Sequence, residues 1–255
     1  MRPLVSFSRV KKIAILTFEG STKDTLLPWG TCVSEHRFNG AFLSEFRAAV
    51  ESISSNSDID GLVITGKGRF FSNGFDLDWF KRISSREAYE TQKDLELLMA
   101  KILSLSIPTV AALNGHTVAA GAALALACDF RLMTNDALFF IPAVDLGLRY
   151  SPGFVELVKL GVSDQAKRRD LLLFSKRFRG QETVEAGIVD KVIDNHQLLS
   201  TAIELAQANA KQHRSSVAAI KAELYKDALD ALLHTSDERR DMGWSDLKKR
   251  TSSKL

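Results

Sequence analysis

The chain has 255 residues, 45% of them hydrophobic and 25% charged, so it can bury a large core as one domain, with or without an appendage, and is neither disordered nor fibrous. Its 34 basic residues against 31 acidic ones leave a formal charge of +3, too balanced for a nucleic-acid-binding surface but compatible with an anionic small ligand. No apolar run reaches the roughly 20 residues of a bilayer span, and the two cysteines, Cys32 and Cys128, sit in unrelated contexts that predict reduced thiols.

The opening MRPLVSFSRVKKIAIL alternates into a strand pattern and lacks a small-residue cleavage site, which argues against a signal peptide. Ile13 to Phe18 then reads as a buried strand, and the stretch after it, with Gly20, Pro28 and Gly30, as a long loop. Ala41, Phe42, Phe46, Ala49, Val50 and Ile53 recur at helical spacing, and GLVIT from Gly61 is a second buried strand. The segment RFFSNGFDL follows. A glycine set between bulky apolar residues and an acid suits neither helix nor strand, and predicts a bend whose amide N–H groups point outward.

A helix is predicted from about Arg86 to Leu105, stopped by Pro108. Thr109 to Gly115 is a third strand, Ala119 to Cys128 a helix of small residues able to pack closely on a sheet, and Asp129 to Thr134 and ALFF further strands. This alternation predicts an α/β domain with crossovers. Beyond Gln197 only amphipathic helices are expected, two of them, over Gln197 to His213 and Ser216 to Thr235. The reading is a core over residues 1–195 and a helical region over 196–255. The final Ser253-Lys254-Leu255 matches the address read by the peroxisomal import receptor, which predicts a peroxisome or glycosome-type organelle.

Three segments taken together, RFFSNGFDL, IPTVAALNGHTVAAGAALALACDFRLMT and ALFFIPAVDLGL, resemble the crotonase superfamily of enoyl-CoA hydratases and isomerases, most closely the peroxisomal Δ3,Δ2-enoyl-CoA isomerases. The resemblance implies a spiral of ββα units with a C-terminal helical trimerisation region, assembly as a trimer or hexamer, and an acyl-CoA substrate whose CoA is part of the substrate, with no separate cofactor. It further implies an oxyanion hole made by the N–H groups of Phe75 and Ala120. Removing a proton α to a thioester places negative charge on its oxygen, and two fixed amides stabilise that enolate. Contacts to CoA are expected from His36, Arg37, Lys81 and Arg82 as phosphate ligands and from Ser72, Asn73 and Gly74 at the turn. No metal-ligand spacing, Ser-His-Asp set or P-loop is present.

The carboxylates that move protons in hydratases fall, by the same resemblance, on Ala123 and Ala143, and neither alanine can do so. Asp145 is therefore the leading base candidate: on an extended segment it shares the face of Ala143, two residues earlier. Glu156 is the second candidate, Tyr150 offers a hydroxyl, and His116 is a proton carrier by residue type. Asp76 is expected to order its turn. The expected activity is Δ3,Δ2-enoyl-CoA isomerisation, which tolerates a single base. Hydration or dienoyl isomerisation with displaced acids, or acyl-CoA binding without turnover, remain open alternatives.

Overall fold

The structure, a computed structural model, describes residues 3–20, 25–26, 32–33, 35–234, 236 and 242–244. The C-terminal tripeptide and most of the loop after Gly20 lie outside the described residues.

A six-stranded sheet runs in the order Val5–Val10, Ile13–Phe18, Gly61–Gly66, Thr109–Leu113, Phe130–Thr134, Lys191–Ile193. Its first pair is antiparallel and the other four pairs are parallel. The predicted strands Ile13–Phe18, Gly61–Gly66 and Thr109–Leu113 are buried along nearly their whole length, as expected for parallel strands covered on both faces. Four further strands form a smaller sheet in the order Phe178–Arg179, Leu138–Phe140, His116–Val118, Phe70–Ser72, parallel except for the first pair.

The chain visits the two sheets in turn. Gly61–Gly66 is followed by Phe70–Ser72 and the helices Leu77–Phe80 and Ser85–Leu103; Thr109–Leu113 by His116–Val118 and the helix Ala120–Leu126; Phe130–Thr134 by Leu138–Phe140 and the helix Pro152–Gly161. This is a spiral of ββα units. The first core lies around interlocked rings: Phe18 meets Phe42, Phe46 and Phe38 edge-on at centroid distances of 5.0, 5.2 and 6.3 Å, a favoured aromatic geometry. Local signals fix the helix starts. Asn39 accepts from the amide of Phe42 to cap Gly40–Ser55, and Ser84 with Glu87 forms a capping box on Ser85–Leu103.

The C-terminal region differs from expectation in two ways. Among the described residues there are three helices after the last strand, Asn195–Ala208, Arg214–Leu224 and Lys226–His234, because the second predicted helix breaks at Tyr225. They are also integrated with the core. Leu198, Ala202 and Ala206 of the first helix pack on Ile13, Val63 and Val110, covering one face of the large sheet. Among the described residues, no helix is long and apolar enough to cross a membrane, and no group of three or more histidine, cysteine or acidic side chains is placed to hold a metal ion. Cys128 is a free, buried thiol whose pKa burial pushes up to about 12.

Candidate functional site

Three neighbouring parallel strands of the smaller sheet end side by side, with Val118 opposite Phe140 and Thr117 opposite Ser72. The residues that leave their C-terminal ends are Asn73 to Phe75, Ala119 and Ala120, and Ile141 to Ala143. All three segments line one cavity of about 190 Å³. The remainder of its wall is mostly apolar, from Leu77, Leu146, Leu148, Phe154, Met242 and Trp244, with the half-buried Tyr150.

Gly74 has φ +78, a conformation L side chains rarely adopt, and a Cβ built there would stand 3.0 Å from the amide nitrogen of Ala120 and 3.1 Å from the carbonyl oxygen of Val118. The absence of a side chain is what lets the turn and the start of the Ala120–Leu126 helix touch. On the facing side, Ala119 carries φ +52 and ψ −117 without a side-chain cap, a strained setting for a residue with a Cβ that typically costs about 1–3 kcal/mol. Gly121 completes the approach, since a Cβ there would lie 2.7 Å from the Cβ of Ser72. The two segments singled out in the sequence are thus in van der Waals contact, with Phe75 and Ala120 both on the cavity wall.

The proposed proton carriers fare differently. Ala143 lines the cavity, whereas Ala123 is fully buried in the core behind it. Asp145 does not share the face of Ala143. The segment is a 3-10 turn, Val144–Leu146, closed by Gly147 at φ +67, with the amides of Leu146 and Leu148 both donating to Ala143 O at 3.1 and 2.9 Å. Three residues per turn carry residue i+2 to another side, and Asp145 is exposed, off the cavity lining. Glu156 pairs with Lys159 at 2.7 Å and also lies outside the cavity.

Tyr150 lines the cavity, but its hydroxyl lies 3.2 Å from Ile141 O and 3.0 Å from Leu172 O, and burial pushes its pKa up to about 12. It is a poor base at neutral pH. His116 Nδ1 accepts from the amide of Leu138 at 3.1 Å, and burial followed by the nearby Arg69 and Arg179 lowers its pKa. It is off the cavity and ties two strands together. Asp76 caps the Leu77–Phe80 helix by accepting from Trp79 N at 3.1 Å, the ordering role the sequence suggested.

Of the residues expected to hold CoA, Arg37, Lys81 and Arg82 come together around Asp78. Arg37 is 3.7 Å and Lys81 3.2 Å from its carboxylate, and Arg82 donates to its carbonyl at 3.0 Å. The Lys81 hydrogen bond holds the Asp78 carboxyl below the usual carboxylate range. Glu35 also pairs with Arg37, so three cations against two acids leave a net positive patch. Asn73 lines the cavity. His36 and Ser72, by contrast, cannot meet a solvent-borne phosphate: both are 0% exposed. His36 sits edge-on to Phe18 at 6.0 Å, and Ser72 is wedged against Gly121.

The His36 Nδ1 lies 3.0 Å from Phe71 O, which can only accept, so Nδ1 carries a proton. Burial lowers its pKa, opposed by the backbone carbonyls of Phe71 and Phe70 and by the carboxylates of Glu19 and Glu35, which pair with Lys67 and Arg37. A histidine with a lowered native pKa stabilises the fold fully above its unfolded value of about 6.5. That contribution is lost as pH falls from there toward the native value, at up to about 1.4 kcal/mol per pH unit. Urea midpoints of the parent are expected to drop more steeply below pH 6.5 than those of His36→Asn, and parallel curves for the two proteins would refute this.

Two wall residues escaped sequence reasoning. Met242 and Trp244 come from the charged C-terminal region and close the cavity: the Trp244 ring lies tilted 4.4 Å from Phe80 and edge-on 5.6 Å from Phe75, its Nε1 donates to Gln92 at 3.1 Å, and Met242 O accepts from Arg149 N at 2.9 Å. The one available signal was a tryptophan amid polar residues. Trp79 and Phe140 are not on the lining; Trp79 packs on Gly40 and Phe80.

Comparison with known proteins agrees with this geometry. The chain is 38% identical over 163 residues to the peroxisomal enoyl-CoA delta isomerase 2 of Arabidopsis thaliana, covering 61% of this chain and 68% of the relative. It is 34% identical over 216 residues to the fatty acid oxidation complex alpha subunit of Shewanella amazonensis, which matches 79% of this chain but only 28% of that protein. The solved structure of a probable enoyl-CoA hydratase of Mycobacterium tuberculosis superposes with a TM-score of 0.81 over 98% of both chains at 24% identity, a likeness of fold. The enoyl-CoA hydratase/isomerase model matches residues 35–254, and the chain belongs to that family, the crotonases.

Proposed function

We propose that the protein binds an acyl-CoA thioester in the cavity of about 190 Å³ and shifts the double bond of a 3-enoyl-CoA to C2 through an enolate, with Phe75 N–H and Ala120 N–H donating to the thioester oxygen. The observation that carries this reading is the close approach of Gly74 to Ala120 N, with Phe75 and Ala120 both on the wall of a mostly apolar cavity. The Arabidopsis relatives named as enoyl-CoA delta isomerases support it. Arg37, Lys81 and Arg82 are assigned to the CoA phosphates. A peroxisomal setting, supported by the names of two relatives, and a homotrimer or hexamer belong to the same proposal.

The reaction takes a proton from C2 and returns one at C4 as the electrons move from C3=C4 to C2=C3. Ala143 stands on the wall where the resemblance puts the carboxylate for this transfer, and no carboxylate, histidine or lysine lines the cavity among the described residues. Parent turnover of trans-3-hexenoyl-CoA, coupled to hydratase and 3-hydroxyacyl-CoA dehydrogenase, is therefore expected to be slow. Ala143→Glu is expected to raise it by about 10²-fold to 10⁴-fold, the usual contribution of a positioned general base. A folded, acyl-CoA-binding Ala143→Glu protein with no gain would remove the wall position from the proton path. Ala143 also favours a second reading, a homologue that binds acyl-CoA without turnover; saturable octanoyl-CoA binding with no conversion at all would identify it.

A further inference from the structure

We infer that His36 is a positioning residue of the enolate site, a buried imidazole that holds the Ser72–Phe75 turn in the shape that presents its amides. The inference rests on the oxyanion-hole reading above. His36 grips the turn at three points: its Nδ1–H donates to Phe71 O at 3.0 Å, and its own carbonyl accepts Ser72 Oγ–H at 2.8 Å and Asn73 N–H at 3.0 Å. Ser72 passes the constraint on. Its Oγ accepts Gly74 N–H at 3.1 Å, fixing the Asn73–Gly74 peptide, the neighbour of the peptide that carries the Phe75 N–H, and its Cβ abuts Gly121 of the facing helix start.

A packing role alone does not account for an imidazole here. The ring is 0% exposed and edge-on to Phe18, and its Nε2 is buried with no hydrogen-bond partner among the described residues. A phenylalanine would fill the same space without stranding a polar atom in the core. What phenylalanine lacks is the Nδ1–H donor to Phe71 O, one residue before the turn begins. Gly66 leaves room for the ring, since a Cβ there would stand 3.0 Å from His36 Cε1.

Acetoacetyl-CoA provides the test, because its bound enolate has its own ultraviolet absorbance and reports the oxyanion site without requiring a catalytic base. His36→Phe is expected to lower the enolate fraction of bound acetoacetyl-CoA about 5- to 10-fold, the value of one hydrogen bond, while the Kd for octanoyl-CoA stays within about twofold. His36→Asn, whose side-chain N–H can replace Nδ1–H, is expected to recover most of the enolate. An unchanged enolate fraction in folded His36→Phe, or an equal loss of affinity for both thioesters, overturns the inference. If His36→Phe does not fold, Ser72→Ala decides, since it cuts the same chain at its second link and must lower the enolate fraction alone. A parent that binds octanoyl-CoA but forms no enolate refutes the oxyanion-hole reading, and a parent that binds neither thioester refutes acyl-CoA binding itself.

Discussion

Alanine in place of Gly74 is expected to weaken binding of the acetoacetyl-CoA enolate by about 10²-fold to 10³-fold, the usual cost of one lost oxyanion donor. Two effects combine. The residue holds φ +78, which a Cβ disfavours by about 1–2 kcal/mol. The new Cβ would also sit 3.0 Å from both Ala119 Cβ and Ala120 N, so relaxing the contact must push the turn off the helix start. Stability is expected to fall by about 1–3 kcal/mol, as for other overpacked sites, far less than would unfold a chain of this size. Enolate absorbance and urea unfolding measured on the same protein separate the two effects. Enolate binding within about threefold of the parent, in a folded Gly74→Ala protein, would mean that the two amides do not act on the thioester oxygen.

The second large effect is one of stability and lies away from the cavity. Lys221, 7% exposed, reaches from the Arg214–Leu224 helix to Asp129 Oδ2 at 2.8 Å, and the same oxygen accepts Thr109 N–H and Oγ1–H, each at 2.9 Å. The pair pins the helix to the strand Thr109–Leu113. Lys221→Ala strips the charge from one side only and leaves a carboxylate of low exposure without its cation. Such half-removal typically costs about 3–5 kcal/mol. The Thr109 bonds remain, so the lower end is expected, a fall in Tm of about 6–12 °C for a chain of this length. Replacing both partners, Lys221→Met with Asp129→Asn, should recover most of the loss, because the cost lies in the uncompensated charge. Octanoyl-CoA affinity should be unchanged in either protein below its transition. A Tm within 2 °C of the parent for Lys221→Ala, as small as a surface pair would give, would refute the assignment.

Both effects bear on how chemistry is distributed in the fold. The smaller sheet delivers three segments to one wall, and its precision depends on contacts in which no side chain is present, at Gly74 and Gly121, and on buried groups that never touch substrate, His36 and Ser72. The proton-transfer machinery is separable from this: alanine at position 143 leaves the wall intact and apolar.

The sequence by itself determined the buried strands Ile13–Phe18, Gly61–Gly66 and Thr109–Leu113, the small-residue helix beside them, and the two glycine turns. Each follows from interactions local in the chain: continuous apolar runs, helical spacing, capping residues, and a glycine where a bend needs positive φ. Arg37, Lys81 and Arg82 could be picked out as a basic group, although their gathering around Asp78 could not. What only the tertiary structure decided were matters of facing. Asp145 was read on the two-residue period of a strand, yet it folds into a three-residue 3-10 turn that carries it to the surface. His36 has the chemistry of a phosphate ligand, but the core encloses it, and burial lowers its pKa and so disfavours the cationic form. Met242 and Trp244 reach the cavity from more than 160 residues beyond the Phe75 they enclose, a closeness set by packing, which no local period encodes.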